Sequence, residues 1–204
     1  MKRKNILDFN GKPLLAWTIE AAQKSGCFDE IIVSTDDEEI AAVAAKYWVK
    51  VERRPPGLAT DQARVTEVCE EIINRRETQA FSCLYATAPL RAADDIRGVV
   101  ALVRPFRCDF AMAVTPFEAS PHQALKEDDG YLTPMWPELI EKRHNEIPRL
   151  YVDNGSTYAA TVEAFRQHKT FYGPNLRGWV MPRERSVDID TQLDLDYARF
   201  LGER

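Results

Sequence analysis

KPLLAWTIEAAQKSGCFDEIIVSTDDEEIAAVAAKY, residues 12–47, decides the fold class. Pro13 suits the first position of a helix, and Leu14, Leu15, Trp17, Thr18, Ile19, Ala21 and Ala22 then cover one broad face. Gly26 follows at the place where helices close in left-handed backbone. EIIVS, residues 30–34, reads as a short buried strand. Thr35, Asp36 and Asp37 offer an N-cap to a second helix running to about Tyr47. Helix, strand and helix in succession imply an α/β chain, because parallel strands need helical crossovers.

The rhythm continues outward from this stretch. Residues 49–53 form a weaker strand, 62–76 a helix, 81–85 a strand, 94–103 a helix and 109–114 another strand. The second half changes character. Residues 123–126 and 131–133 read as a hairpin around Asp128-Asp129-Gly130. Residues 135–149 are irregular and polar. Residues 151–160 are strand-like, with Asn154-Gly155 a bulge or turn. A short helix at 162–169, a strand at 179–181 and a final helix at 192–202, capped by Asp190 or Thr191, complete the chain. The expected fold is α/β, a mostly parallel sheet with helices on both faces, in one domain spanning 1–204. Residues 117–160 look like an insertion at one end of the sheet. Open α/β sheets bind ligands beyond the carboxyl ends of their strands. The informative segments are therefore 34–37, 85–91, 115–123 and 185–190.

Composition excludes several classes of function. With 204 residues, 45% apolar and 29% charged, the chain has the makeup of an ordinary globular domain and not of a disordered one. Its longest apolar runs, such as 98–103, fall far short of the ~20 residues of a membrane span. The net charge of −5 argues against general affinity for nucleic acid phosphates. An anionic substrate would need local positive charge or a metal. Cys27, Cys69, Cys83 and Cys108 form no CxxC pair, and no His lies near one at metal-ligand spacing. They read as reduced, mostly buried thiols of a cytoplasmic protein. MKRKNILDFNGKP lacks the apolar run of a signal peptide. There is no HExxH pair, no GxSxG elbow and no GxxxxGK[ST] loop.

Four motifs can carry chemistry. In Ser186-Val187-Asp188-Ile189-Asp190, extended backbone turns the two aspartates to one face and Val187 and Ile189 into the core. Paired carboxylates at a strand end suit Mg²⁺, or alternatively cap the next helix. Arg53-Arg54 precedes a stiff Pro55-Pro56 loop and forms either a phosphate fork or a solvated basic loop. Tyr85-Ala86-Thr87-Ala88-Pro89-Leu90-Arg91 ends a strand in small residues that either admit a nucleotide or simply connect. Lys2-Arg3-Lys4-Asn5 either grips phosphates or frays into solvent. His168, in the last turn of a helix, is read as structural, while His122 and His144 stay open.

Taken in order, KNILDFNGKPLL, RPPGLATD, YATAPLR, ASPHQAL, VDNGSTY and SVDIDTQLDL resemble the acylneuraminate cytidylyltransferases, which activate sialic, legionaminic and pseudaminic acids as CMP-sugars. The resemblance covers essentially the whole chain. It implies a nucleotide-diphospho-sugar transferase-like fold with a small dimerisation insertion, a homodimer, and a reaction of CTP with a nine-carbon keto sugar acid that releases pyrophosphate. By the same resemblance Asp188 and Asp190 bind Mg²⁺ and serve catalysis. Lys4, Asn5, Arg54, Tyr85 and Thr87 serve the nucleotide. Gln123, Arg143, Asn154, Tyr158 and Tyr172 serve the sugar. Tyr172 and its neighbour Phe171 either reach a neighbouring subunit's pocket or simply pack.

Two features depart from the family pattern. The family's first strand and its glycine- and serine-rich phosphate loop are expected ahead of Met1, leaving part of the sheet unpaired. The alternative reading is accordingly a non-catalytic, nucleotide-weak binding or oligomerisation module. In place of the family's RQDLP stands Arg143-His144-Asn145-Glu146-Ile147-Pro148. The sugar carboxylate is left to Arg143, to Arg149, or to neither. An eight-carbon keto-deoxy-octulosonate is a further substrate that the NGxxY and SVDIDT motifs speak against.

Overall fold

The computed structural model describes residues 3–104 and 107–203. Lys2 lies outside them. A 3-10 turn at Lys4–Ile6 leads into the small ladder of β1 (Asp8–Phe9) and β2 (Lys12–Pro13). Helix α1 (Leu14–Ser25) starts one residue after the expected Pro13 and closes at Gly26, whose φ of 65° an L side chain resists. Strand β3 (Ile32–Thr35) follows, then α2 (Glu38–Ala45) and β4 (Lys50–Arg53). Asp37 caps α2 by accepting from the backbone N–H groups of Glu39 and Ile40 at 2.8 and 3.2 Å.

Helix α3 (Val65–Ile73), β5 (Ala80–Leu84), α4 (Ala93–Leu102) and β6 (Phe110–Pro116) continue the alternation. The expected hairpin forms as β7 (Leu125–Asp128) and β8 (Tyr131–Pro134), followed by the single turn α5 (Pro137–Ile140). Strand β9 (Tyr151–Thr161), α6 (Val162–His168), β10 (Leu176–Val180) and α7 (Gln192–Gly202) complete the chain.

The main sheet has the order β10-β6-β9-β5. As expected, β3 pairs parallel with β4 and β6 parallel with β10. Strand β9 runs the other way, antiparallel to both β5 and β6, so the sheet is mixed. The reason is the insertion. The chain leaves β6, makes the β7–β8 hairpin and re-enters at the same end of the sheet, so no crossover reverses it. Among the described residues β3 pairs only with β4 and β5 only with β9, so each keeps one strand edge unpaired.

Side chains alternate across β6 with the period of a strand. Phe110 and Met112 join Ile73, Tyr158, Phe165 and Phe171 in one core. Ala111 and Ala113 join Val99, Ala159 and Met181 on the opposite face. Helices thus cover both faces. A third core unites Phe9, Leu14, Leu195 and Ala198 with Ile189 from the acidic segment. Since β9 is reversed, its first residues and the carboxyl ends of β5, β6 and β10 share one end of the sheet. The residues with chemical potential gather there.

Candidate functional site

The acidic segment is fixed by what lies between its carboxylates. Ile189 is fully buried, which contributes roughly 1.5–3 kcal/mol. Its backbone N–H donates to the Thr87 carbonyl at 2.9 Å. Asp188 and Asp190 consequently stand on the side away from the core, as the alternation predicts. Helix α7 does not need Asp190 as its cap. Thr191 accepts from Asp194 N–H at 3.3 Å, while Asp194 accepts from the Thr191 N–H and hydroxyl at 2.7 and 2.8 Å.

Asp188 lies against β9. The β6–β9 register slips between Met112 opposite Tyr158 and Val114 opposite Asp153, so residues 154–157 bulge from the ladder. Gly155 sits in this bulge at φ 64°. A Cβ there would come within 2.7 Å of Asp188 Oδ2. Asp188 Oδ1 is buried without a hydrogen-bond partner among the described residues. Burial pushes the Asp188 carboxyl above the usual carboxylate range, with Thr87 and Lys4 acting against that rise.

Asp190 is open to solvent and meets Lys4 Nζ at 2.6 Å. The same ammonium donates to the Ile189 carbonyl at 3.2 Å. Asn5 follows Lys4 in the 3-10 turn and is half-buried. Arg54 is held from behind, its Nη2 donating to the Ser34 carbonyl at 2.7 Å.

An aromatic wall follows. Tyr85 meets Tyr158 at 5.3 Å between ring centroids, and Tyr158 meets Phe171 at 5.0 Å. Burial and nearby negative charge raise the Tyr85 and Tyr158 phenols far above their ordinary values. Tyr158 and Tyr172 both donate to Asp153. Asn154 is buried, and its Nδ2 donates to Ser186 Oγ at 3.0 Å, tying the bulge to the acidic segment.

The structure therefore brings Lys4, Tyr85, Thr87, Asn154, Tyr158, Tyr172, Asp188 and Asp190 into one connected neighbourhood. Gln123 and Arg143 are not joined to it. Both are exposed, and among the described residues no hydrogen bond or ion pair ties either side chain to that group. The Arg143 backbone N–H closes a turn onto Glu146 at 3.0 Å. Arg149 is likewise exposed. His122 is structural, with Nε2 3.2 Å from the Pro148 carbonyl.

The residues fit a hard cation. Asp188 offers an orphaned carboxylate oxygen in a cradle that only glycine leaves open, and Asp190 adds a second hard donor. Among the described residues no cluster of three or more His, Cys, Asp or Glu forms a complete metal cage. The remaining positions would fall to water and substrate oxygens, the habit of Mg²⁺ at phosphate sites.

Comparison with known proteins now decides the lineage. The cytidylyltransferase family's sequence model matches residues 1–198. The pseudaminic acid cytidylyltransferase of Campylobacter jejuni is 36% identical over 98% of this chain and 89% of its own length. The N-acylneuraminate cytidylyltransferase of Escherichia coli O18:K1:H7 is 30% identical over 97% of this chain and 48% of its own length. The chain belongs to the CMP-nonulosonate cytidylyltransferase family. A solved structure of a CMP:2-keto-3-deoxy-manno-octonic acid synthetase complexed with CTP superposes with a TM-score of 0.74. It covers 100% of this chain and 92% of its own at 18% identity, a likeness of fold.

Sequence reading of this cytidylyltransferase missed the supports beneath the site. Asp95 is 1% exposed and accepts two hydrogen bonds from Arg185, at 3.0 and 2.8 Å, plus one from Ala92 N–H at 2.9 Å. The pair clamps the start of the acidic segment to α4. Arg91 is 3% exposed and donates to the carbonyls of Tyr85 and Ser156 and to the Thr18 hydroxyl. Burial draws its guanidinium down to about 10, so it stays charged at neutral pH. Sequence spacing offers no signal for a pair 90 residues apart. The motif YATAPLR does flag Arg91, but as a residue of the crevice and not as a strut beneath it.

Proposed function

We propose that this chain transfers CMP from CTP to the anomeric hydroxyl of a nonulosonic acid and releases pyrophosphate. Pseudaminic acid is the first substrate to try, given the 36% identity over nearly the full chain to an enzyme named for it. The observation that carries the reading is the placement of Asp188 and Asp190 on either side of buried Ile189, at the end of the sheet, beside Lys4. The relatives' names favour catalysis over a non-catalytic module.

In this reading Lys4 exchanges Asp190 for the triphosphate. The exchange is cheap, because so exposed an ion pair is worth about 1 kcal/mol or less. Arg54 and Asn5 add donors to the nucleotide, and Tyr85 and Thr87 form the floor beneath it. Asn154, Tyr158 and Tyr172 orient the sugar. Asp188 and Asp190 would hold Mg²⁺, which when bound neutralises charge on the α-phosphate and departing pyrophosphate. Gln123 and Arg143 serve the sugar only if the insertion folds toward the site.

A homodimer is part of the proposal. The hairpin and the turn after it expose Leu125, Tyr131, Leu132, Met135 and Trp136 within the 117–160 segment. Sedimentation should give a dimer for the wild type and a monomer for Leu132→Glu. The reaction is assigned to the cytoplasm, a location with which four free thiols are compatible. No helix among the described residues is long and apolar enough to cross a membrane. The activity is tested by incubating the protein with CTP, Mg²⁺ and a panel of nonulosonic acids. Pyrophosphate release with at least one of them is expected. Release with none, from protein that binds CTP, would refute the assignment.

A further inference from the structure

Asp153 belongs to no site assigned so far, yet it holds two of the tyrosines named for the sugar. Its Oδ1 accepts from the Gly155 N–H and the Tyr158 hydroxyl, each at 3.0 Å. Its Oδ2 accepts from Tyr158 at 2.8 Å and from Tyr172 at 2.5 Å. The two phenols come from different elements. Tyr158 is a buried residue of β9, whereas Tyr172 sits in the loop after α6 and is 63% exposed. Phe171 anchors that loop from below against Phe81, Tyr158 and Phe165. Among the described residues, Tyr172 has only the bond to Asp153 to fix its ring tip, apart from its backbone N–H donating to the Thr170 hydroxyl.

We propose that Asp153 is a positioning residue for the sugar acid, acting by drawing the exposed Tyr172 phenol toward Tyr158 and the 154–157 bulge. This rests on the assignment of Tyr158 and Tyr172 to the sugar. Asp153 does not contact the sugar's carboxylate, since two like charges there would repel. Its carboxylate accepts from the two phenols and one amide in charge-assisted hydrogen bonds, of which that from Tyr172 is short. Burial and the Asp153 carboxylate together push the Tyr172 phenol up to about 12.

The test combines Asp153→Asn, Tyr172→Phe and the double variant in full-length protein. For each, KM is measured for CTP and for the sugar acid that the wild type uses. The expected result is a rise of about tenfold in the sugar KM for each single variant, with the CTP KM unchanged within about twofold. The double variant should add little, because both changes cut one interaction. A second readout needs no substrate. With ring-labelled tyrosine, Tyr172 (assigned through Tyr172→Phe) should titrate near 12 in the wild type and closer to the ordinary value of about 10 in Asp153→Asn. The exposed ring lets Tyr172→Phe fold and carry the KM comparison even if Asp153→Asn does not. An unshifted Tyr172 titration, KM values that rise together, or additive single effects would each overturn the proposal. Failure of the wild type to use any sugar acid is seen before the variants are compared, and it strikes the function and not this contact.

Discussion

Lys4 Nζ and Asp190 Oδ1 lie 2.6 Å apart, joining the first turn of the described chain to the loop before its last helix. Among the described residues, Asp188 has no comparable ion pair of its own. Asp190 lies at the surface, whereas Asp188 packs against the β9 bulge at Gly155, so the two carboxylates sit in different environments.

Separating capping from chemistry is the first prediction. Asp190→Asn should lower turnover on the order of 100-fold or more and leave thermal stability nearly unchanged. Thr191→Ala should do the reverse, costing about 1 kcal/mol of stability with little loss of turnover. Urea denaturation and steady-state rates on both variants check the pair.

Gly155→Ala tests the cradle of Asp188. Its Cβ would fall 2.7 Å from Asp188 Oδ2, on backbone at φ 64°. The left-handed conformation alone costs about 1–2 kcal/mol for an L residue. A drop in Tm of roughly 2–4 °C per kcal/mol is expected, together with a fall in turnover larger than that stability loss explains.

Acid stability should depend on Asp95. Burial acts to raise its pKa, but the hydrogen bonds from Arg185 and from Ala92 N–H outweigh it and hold the carboxyl below its ordinary value. In the acid window between the two values the unfolded chain binds the extra proton, so stability increases with pH there. The contribution is complete above about pH 4 and is lost as pH falls through the folded value. Asp95→Asn should be less stable by about 1–3 kcal/mol at neutral pH, and its deficit should shrink below about pH 4. Denaturant midpoints across that range measure the deficit.

Arg91→Met should destabilise without touching the ligand surface directly. The change removes charge-assisted donors from the carbonyls of Tyr85 and Ser156, which keep the Thr18 hydroxyl and the Tyr85 N–H as partners, so roughly 1.5–3 kcal/mol is expected for each bond to the guanidinium that is lost. Arg91→Lys should recover part of the loss. Chemical denaturation of the two variants makes the comparison.

Local features are the legible part of this sequence. The span of α7 and the hairpin around Asp128-Asp129-Gly130 depend on caps and turns a few residues long, and both are found where expected. The alternation around Ile189 is local too, and Ile189 is buried between the two aspartates as it predicts. The reversal of β9 is not legible, because strand direction is set by where the chain re-enters the sheet. The Asp95–Arg185 clamp and the Asp153 hub join distant segments, so spacing cannot reveal them. Arg143 shows the limit of reading residue type alone. A plausible residue type at a plausible place lies on an exposed turn.

The central claim is that Asp188 and Asp190 support CMP transfer to a nonulosonic acid. Phosphorus NMR of CTP, Mg²⁺ and pseudaminic acid with wild-type and Asp188→Asn protein tests it most directly. Growth of a CMP-sugar phosphodiester signal and of pyrophosphate with the wild type, and their loss with the folded variant, is predicted. Equal product formation by both proteins would contradict it.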